Sequence, residues 1–236
     1  MIKLGLSKVI VFVIGAYGVF LNQSVIAADA GFDPIALYGP EIRFDVLREG
    51  RPAGLHTVTF ESTNDGVFVQ SNFELKVDLL FVTLYRFLYR SDAHWHEGKL
   101  QRLTAKVNDN GSSFSVSANR DGNSLIVEHT QKTYEVSEPL YPTDHWNPLV
   151  LGQERVLNTL TGRINNVTIE PIVREWVETE LGDVSATRYA YTGDLDTEVW
   201  YDDYGRWVKM RFGARDGSTI EYICRSCQGG ILEEVN

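Results

Sequence analysis

The sequence predicts an all-β fold: an antiparallel, strongly curved sheet of roughly a dozen strands closing into a barrel or half-barrel, with one short helix across a mouth. Three observations carry this. From Glu41 onward apolar side chains recur at every second residue, the period of a half-buried strand. Gly, Asn and Asp clusters interrupt the pattern at the short intervals typical of all-β folds. Only one stretch loses the alternation, Tyr141-Pro142-Thr143-Asp144-His145-Trp146-Asn147-Pro148 and on to Thr161. An up-and-down sheet with that many strands must curl or close to protect its edges.

The first residues stand apart from this pattern. Lys3 and Lys8 precede an apolar run over 9–21 and the small-residue cluster Ser24-Val25-Ile26-Ala27-Ala28. This is the layout of a secretory signal peptide, and the run is shorter than the ~20 residues a spanning helix needs. A retained anchor is the alternative reading. With cleavage after Ala27 (Ala28-Asp29-Ala30 offers another site), residues 1–27 are a signal peptide and 28–236 a single β-barrel-like domain, with no stable membrane span after processing. One domain of this length buries a sizeable core. The formal net charge of −10 repels phosphate backbones and anionic headgroups, so nucleic acid is not an expected partner.

The strands follow in order. Ile42, Phe44 and Val46 share one face of the first, and Glu49-Gly50-Arg51-Pro52 turns the chain into a second strand over 55–61. In 73–81 the odd positions Phe73, Leu75, Val77, Leu79 and Phe81 are apolar and the even ones polar. The segment 84–90 places Tyr85, Phe87 and Tyr89 on one side and Arg86 and Arg90 on the other; strands this long suit a barrel wall. Turns at Glu97-Gly98, 108–111 and Asp121-Gly122 separate strands over 99–106, 112–120, 124–129 and 132–136. After the interruption, strands resume over 163–173, 185–192, 197–201, 206–214 and 218–224. Asp144 or Asn147 can cap a short helix with Pro148 at its first position, and Gly152 and Asn158 limit it to about three turns. Placed across one mouth, this segment would plug or gate an interior where barrel ligands bind.

Several ordered motifs resemble an uncharacterised family of exported bacterial β-proteins, domain-of-unknown-function family 6134. They are Ala36-Leu37-Tyr38-Gly39-Pro40 with Glu41 to Val46, Asn108-Asp109-Asn110-Gly111, Pro142 to Pro148 and Leu157-Asn158-Thr159-Leu160-Thr161-Gly162. Later in the chain come Gly193-Asp194-Leu195, Trp200-Tyr201-Asp202, Gly205-Arg206-Trp207-Val208 and Ala214-Arg215-Asp216-Gly217-Ser218. The resemblance implies a periplasmic, barrel-like protein and carries no catalytic residue or cofactor with it. Cys224 and Cys227 lie outside the motifs. In an exported chain they read as a small-loop disulfide, with redox activity or half a metal site as alternatives.

The catalytic candidates are His145 and Asp144, an adjacent pair able to supply a general base oriented by a carboxylate. No nucleophile stands beside them, and the alternative is a tight structural cap. Ligand-binding candidates are Trp146 and Asn147 in the same stretch, Tyr85, Tyr89 and Arg86 on the long strands, and Asn158 downstream. Arg86, Arg90 and Arg188 would clamp an anion if they faced inward, and would pair with acids such as Glu74 if they faced outward. His94 and His96, two apart on an extended strand, point the same way and are weak metal candidates that lack a third ligand; His56 and His129 are conceivable ones. Three functions follow from different classes. The first is a barrel that binds a small hydrophobic or amphipathic ligand, with 144–161 as lid. The others are an envelope lipid- or glycan-acting enzyme using the Asp-His pair, and a non-catalytic envelope scaffold. No cofactor is expected, and the sequence assigns no oligomeric state.

Overall fold

The computed structural model describes residues 32–79, 82–130, 132–137 and 139–229. The expected signal peptide and Phe81 lie outside the described residues. Among the described residues, fifteen strands form one sheet. They are β1 (Glu41–Arg48), β2 (Arg51–Thr63), β3 (Gly66–Leu79), β4 (Val82–His96), β5 (Lys99–Asp109), β6 (Ser112–Asp121), β7 (Ser124–His129) and β8 (Lys132–Ser137), followed by β9 (Tyr141–Pro142) and β10 (Arg155–Leu157). The last five are β11 (Ile164–Val177), β12 (Val184–Gly193), β13 (Thr197–Asp202), β14 (Trp207–Gly213) and β15 (Thr219–Ser226). A five-residue helix, α1 (Pro34–Tyr38), precedes them, with the Asp33 carboxylate accepting from the amides of Ile35 and Ala36. Among the described residues no helix is long and apolar enough to cross a membrane.

The spatial order runs β8 to β1 and then β15 to β9. β1 therefore lies at the centre, paired with β2 on one side and with β15 on the other. Each arm then runs outward through consecutive antiparallel strands, and only β9 joins its neighbour β10 in parallel. The alternation seen in the sequence becomes the inside and outside of this wall. Ile42, Phe44 and Val46 of β1 are fully buried, while their neighbours Arg43 and Leu47 keep surface.

The ladder is not closed by hydrogen bonds. Its edges are β8 and β9, whose nearest ends, Ser137 and Tyr141, are four residues apart and so no more than about 14 Å from each other. Side chains bridge the seam instead. Arg155 on β10 donates to the Ser137 carbonyl on β8 at 3.4 Å, and Tyr141 on β9 packs its ring 6.2 Å from Trp95 on β4. Gly162 sits so close to β7 that a Cβ there would stand 2.5 Å from that of His129. Among the described residues, no strand pairs with the half of β11 beyond its short pairing with β10 on that edge. Pro171 and the register break beside it blunt that edge against pairing with another chain.

Two sequence expectations are corrected. The strands number fifteen because β9 and β10, at two and three residues, are too short to show a period. The expected helix is a single 3-10 turn, Pro148–Gly152, capped by Asn147. Gly152 is a poor helix former, and Arg155–Leu157 instead pairs with Ile164–Asn166, where the ladder satisfies its backbone.

Candidate functional site

The stretch that breaks the alternation runs through the interior as a plug, and both arms of the sheet grip it. Trp146 is wedged between Phe60 of β2 and Trp95 of β4, each 5.4 Å away by ring centroid, with Phe32 at 5.9 Å. On the opposite arm, His145 packs on Tyr191 of β12 and Trp207 of β14. Tyrosine hydroxyls hold the plug's backbone: Tyr201 donates to the His145 carbonyl at 2.8 Å and Tyr38 to that of Trp146 at 2.9 Å. Tyr38 in turn accepts from the Trp207 amide, so a single phenol ties α1, the plug and β14 together.

Asp144 and His145 are both carried inside, but not to one another. They open a turn in which the Asn147 amide donates to the Asp144 carbonyl at 3.3 Å, and their side chains reach different partners. The Asp144 carboxylate meets the Tyr89 hydroxyl at 3.4 Å, and that hydroxyl also reaches Thr159 at 2.9 Å. Burial raises Asp144 to about 7 and lowers His145 to about 4, because removal from water penalises each charged form. His56, across Trp207 from His145, is lowered to about 3 by burial and by its histidine neighbour. Its Nε2 bonds Ser71 at 2.8 Å, while the Nδ1 atoms of His56 and His145 are enclosed and bond no protein group. The two imidazoles flank the Trp207 ring at 5.6 and 5.7 Å. Together they form a neutral, hydrogen-bonding floor in an aromatic chamber.

Beyond this floor the packing loosens. Phe87 of β4 touches Phe73, which stacks on Tyr222, which touches Phe212 of β14, so one chain of rings joins the two arms. Tyr85, Phe87, Met210 and Phe212 face inward here yet are only half-buried, whereas their counterparts near Trp146 are sealed. Above them Tyr85 donates to Asp109 at 2.8 Å, and Arg215, from the turn after β14, pairs with the same carboxylate at 3.1 Å. This ion pair links the arms above these half-buried side chains. From the sequence, Asp109 read as a turn and motif residue, Arg215 as a motif residue and His56 only as a conceivable metal ligand. The face it shares with Val58 and Phe60 could have placed His56 inside.

The remaining candidates lie elsewhere. Arg86 is on the outer face, paired with Glu74 at 2.9 Å and half-exposed, so it cannot clamp a ligand inside. Arg90 is outside as well, beside Asp92. Arg188 pairs with Glu198 next to Trp200, away from the plug. Trp146 fills space as a wedge, Asn147 caps the 3-10 turn, and Asn158 accepts from the amides of Leu160 and Thr161 to shape a loop. Tyr89 is buried against the plug, and of the ligand-binding candidates only Tyr85 stands among the half-buried inward residues around Phe87 and Phe212. His94 and His96 both reach Asp65 in the β2–β3 turn; among the described residues, no three metal-ligating side chains gather anywhere. Cys224 and Cys227 are joined by a disulfide.

A single fifteen-stranded wall rolled around an internal plug defines an all-β, barrel-like protein. Residues 44–225 match the family model described as domain of unknown function DUF6134, and the chain belongs to that family. Among solved structures it is similar to a β-barrel-like protein of domain of unknown function DUF1849 from Brucella abortus, at 13% identity and a TM-score of 0.57. That match covers 79% of this chain and 95% of the other, and at such identity it shows the fold alone. No curated protein matches the chain.

Proposed function

We propose that this chain is a periplasmic binding protein whose interior takes a small hydrophobic or uncharged amphipathic ligand. The ligand enters through the vestibule between Phe87 and Phe212, and the plug acts as a fixed stopper rather than a lid. The observation that carries the reading is the contrast along the interior, sealed around Trp146 but only half-buried around Phe87, Met210 and Phe212. An apolar lining with a few convergent polar groups is the usual composition of a ligand site. The floor supplies such groups in the free Nδ1 atoms of His56 and His145. Burial holds both imidazoles neutral, so hydroxyl, ester or amide heads find hydrogen-bonding partners there without a buried charge.

An acid-base enzyme is the weaker reading, since Asp144 and His145 face different partners. A scaffold is favoured by one observation, the exposed Ile172, Trp176 and Leu181 at the β11–β12 hairpin, Trp176 being 73% exposed. Mass spectrometry of molecules released from natively purified protein separates the readings. A neutral lipid-like species is expected, absent from a folded Phe87→Arg variant. Release of nothing, or full retention by that variant, would end the interior-ligand reading and leave the scaffold.

A further inference from the structure

We infer that the outer face of the β2–β6 wall carries a second binding site, for an anionic amphiphile with a single acyl chain. A groove of about 670 Å³ crosses these five strands, within the ordinary size range of small-molecule sites. Its lining places it outside the barrel: from β2 to β6 each strand contributes two outward residues, such as Leu88 and Arg90 or Lys106 and Asn108, against at most one inward residue between them, such as Tyr89 or Val107.

Charge on this face points to the head group. Asn72, Arg90, Lys106 and Ser115 stand side by side on successive strands, so two cations are direct cross-strand neighbours. Like charges in that position repel each other. Asp92 offsets Arg90 at 3.3 Å, but Lys106 is exposed and pairs with no acid among the described residues. In a chain of net charge −10, two neighbouring cations that share a single acid over a groove favour an anion, and an arginine beside a lysine suits a carboxylate or phosphate.

The adjacent row accounts for the chain. Leu88 lies two residues from Arg90 on the same face, and Leu55 lies two strands further, in the row Leu55, Glu74, Leu88. That path is about 10 Å long, and both leucines are outward-facing but only half-buried. Glu74, between them, also lines the groove, and its carboxylate is met by two hydrogen bonds from Arg86. This site is independent of the vestibule proposed for uncharged ligands, which lies on the opposite face of the same wall.

Titration of the full chain with dodecanoate and with dodecyl phosphate, read by backbone amide shifts, tests the inference. Dodecanol and dodecyltrimethylammonium serve as controls of equal chain length. Both anions should bind and perturb amides near Leu55, Leu88, Arg90 and Lys106, with affinity falling as salt rises. The stronger of the two identifies the head. Lys106→Glu should weaken binding about tenfold or more with the fold unchanged, and Phe87→Arg should leave it intact. Equal binding of the cationic control, an unchanged affinity in Lys106→Glu, perturbations confined to Phe87 and Phe212, or no binding up to about 1 mM would each overturn it.

Discussion

Asp144 is the side chain whose chemistry the interior alters most usefully. Its ionisation moves from 3.8 to about 7, so between those values the folded chain keeps a proton that the unfolded chain has released. Its stabilising contribution is full at low pH and is lost as pH rises through that window, by about 4 kcal/mol across the whole span. His56 and His145 act in the opposite sense. Their folded values of about 3 and about 4 lie below 6.5, so their contribution is present above 6.5 and is lost as pH falls towards those values. From about pH 4.5 to 6.5 two histidines oppose one aspartate, and the stability of the natural chain should rise with pH. Asp144→Asn removes the opposing partner. In urea melts its advantage over the natural chain should grow by about 3 kcal/mol between about pH 4.5 and 7.5. Parallel curves would show that Asp144 ionises as it does in water.

Among the elements, the loop that ends the plug depends on one backbone position. Gly162 adopts φ +67°, and a Cβ there would press on His129 and Val116. Gly152, in the 3-10 turn, has open space around it and an ordinary φ. Gly162→Ala should therefore cost about 2 kcal/mol or more, through strain and a disturbed seam, while Gly152→Ala should be close to neutral in the same thermal melts. Equal effects would remove the seam contact from the account. The long strands were legible because Ile42, Phe44 and Val46, or Phe73, Leu75 and Val77, repeat a clear period. The 149–157 segment was not, because its composition allows a helix and only the distant partner Ile164–Asn166 decides otherwise. The interior residues were half legible. Trp146 and His145 stood out by breaking the pattern, but which way each pointed depended on Tyr191, Trp207 and Phe60, up to 86 residues away in the chain.

For the whole molecule, β1 and β15 pair across a sequence separation set by nearly the entire domain. Such a non-local centre makes folding slow relative to helical domains of equal size. Stability should also be graded outward from it. β8 is short and hydrogen-bonded on one side only, whereas β1 is bonded on both sides and fully buried on one face. Amide hydrogen exchange should be fastest at β8 and slowest at β1, by about two or more orders of magnitude; uniform protection would mean that the side-chain seam closes the barrel as firmly as a ladder does.

The meeting of first and last strands in the middle of the wall has a further result. The two borders of the sheet are consecutive in the chain, separated only by residues 138–140. A circular permutant beginning at Tyr141, with the natural ends fused, would lay its strands down from one border to the other without a single jump, in the order in which they lie side by side. Deleting β15 does the reverse: the loss of one eight-residue strand leaves β1 and β14 without the partner that joins the two arms of the wall.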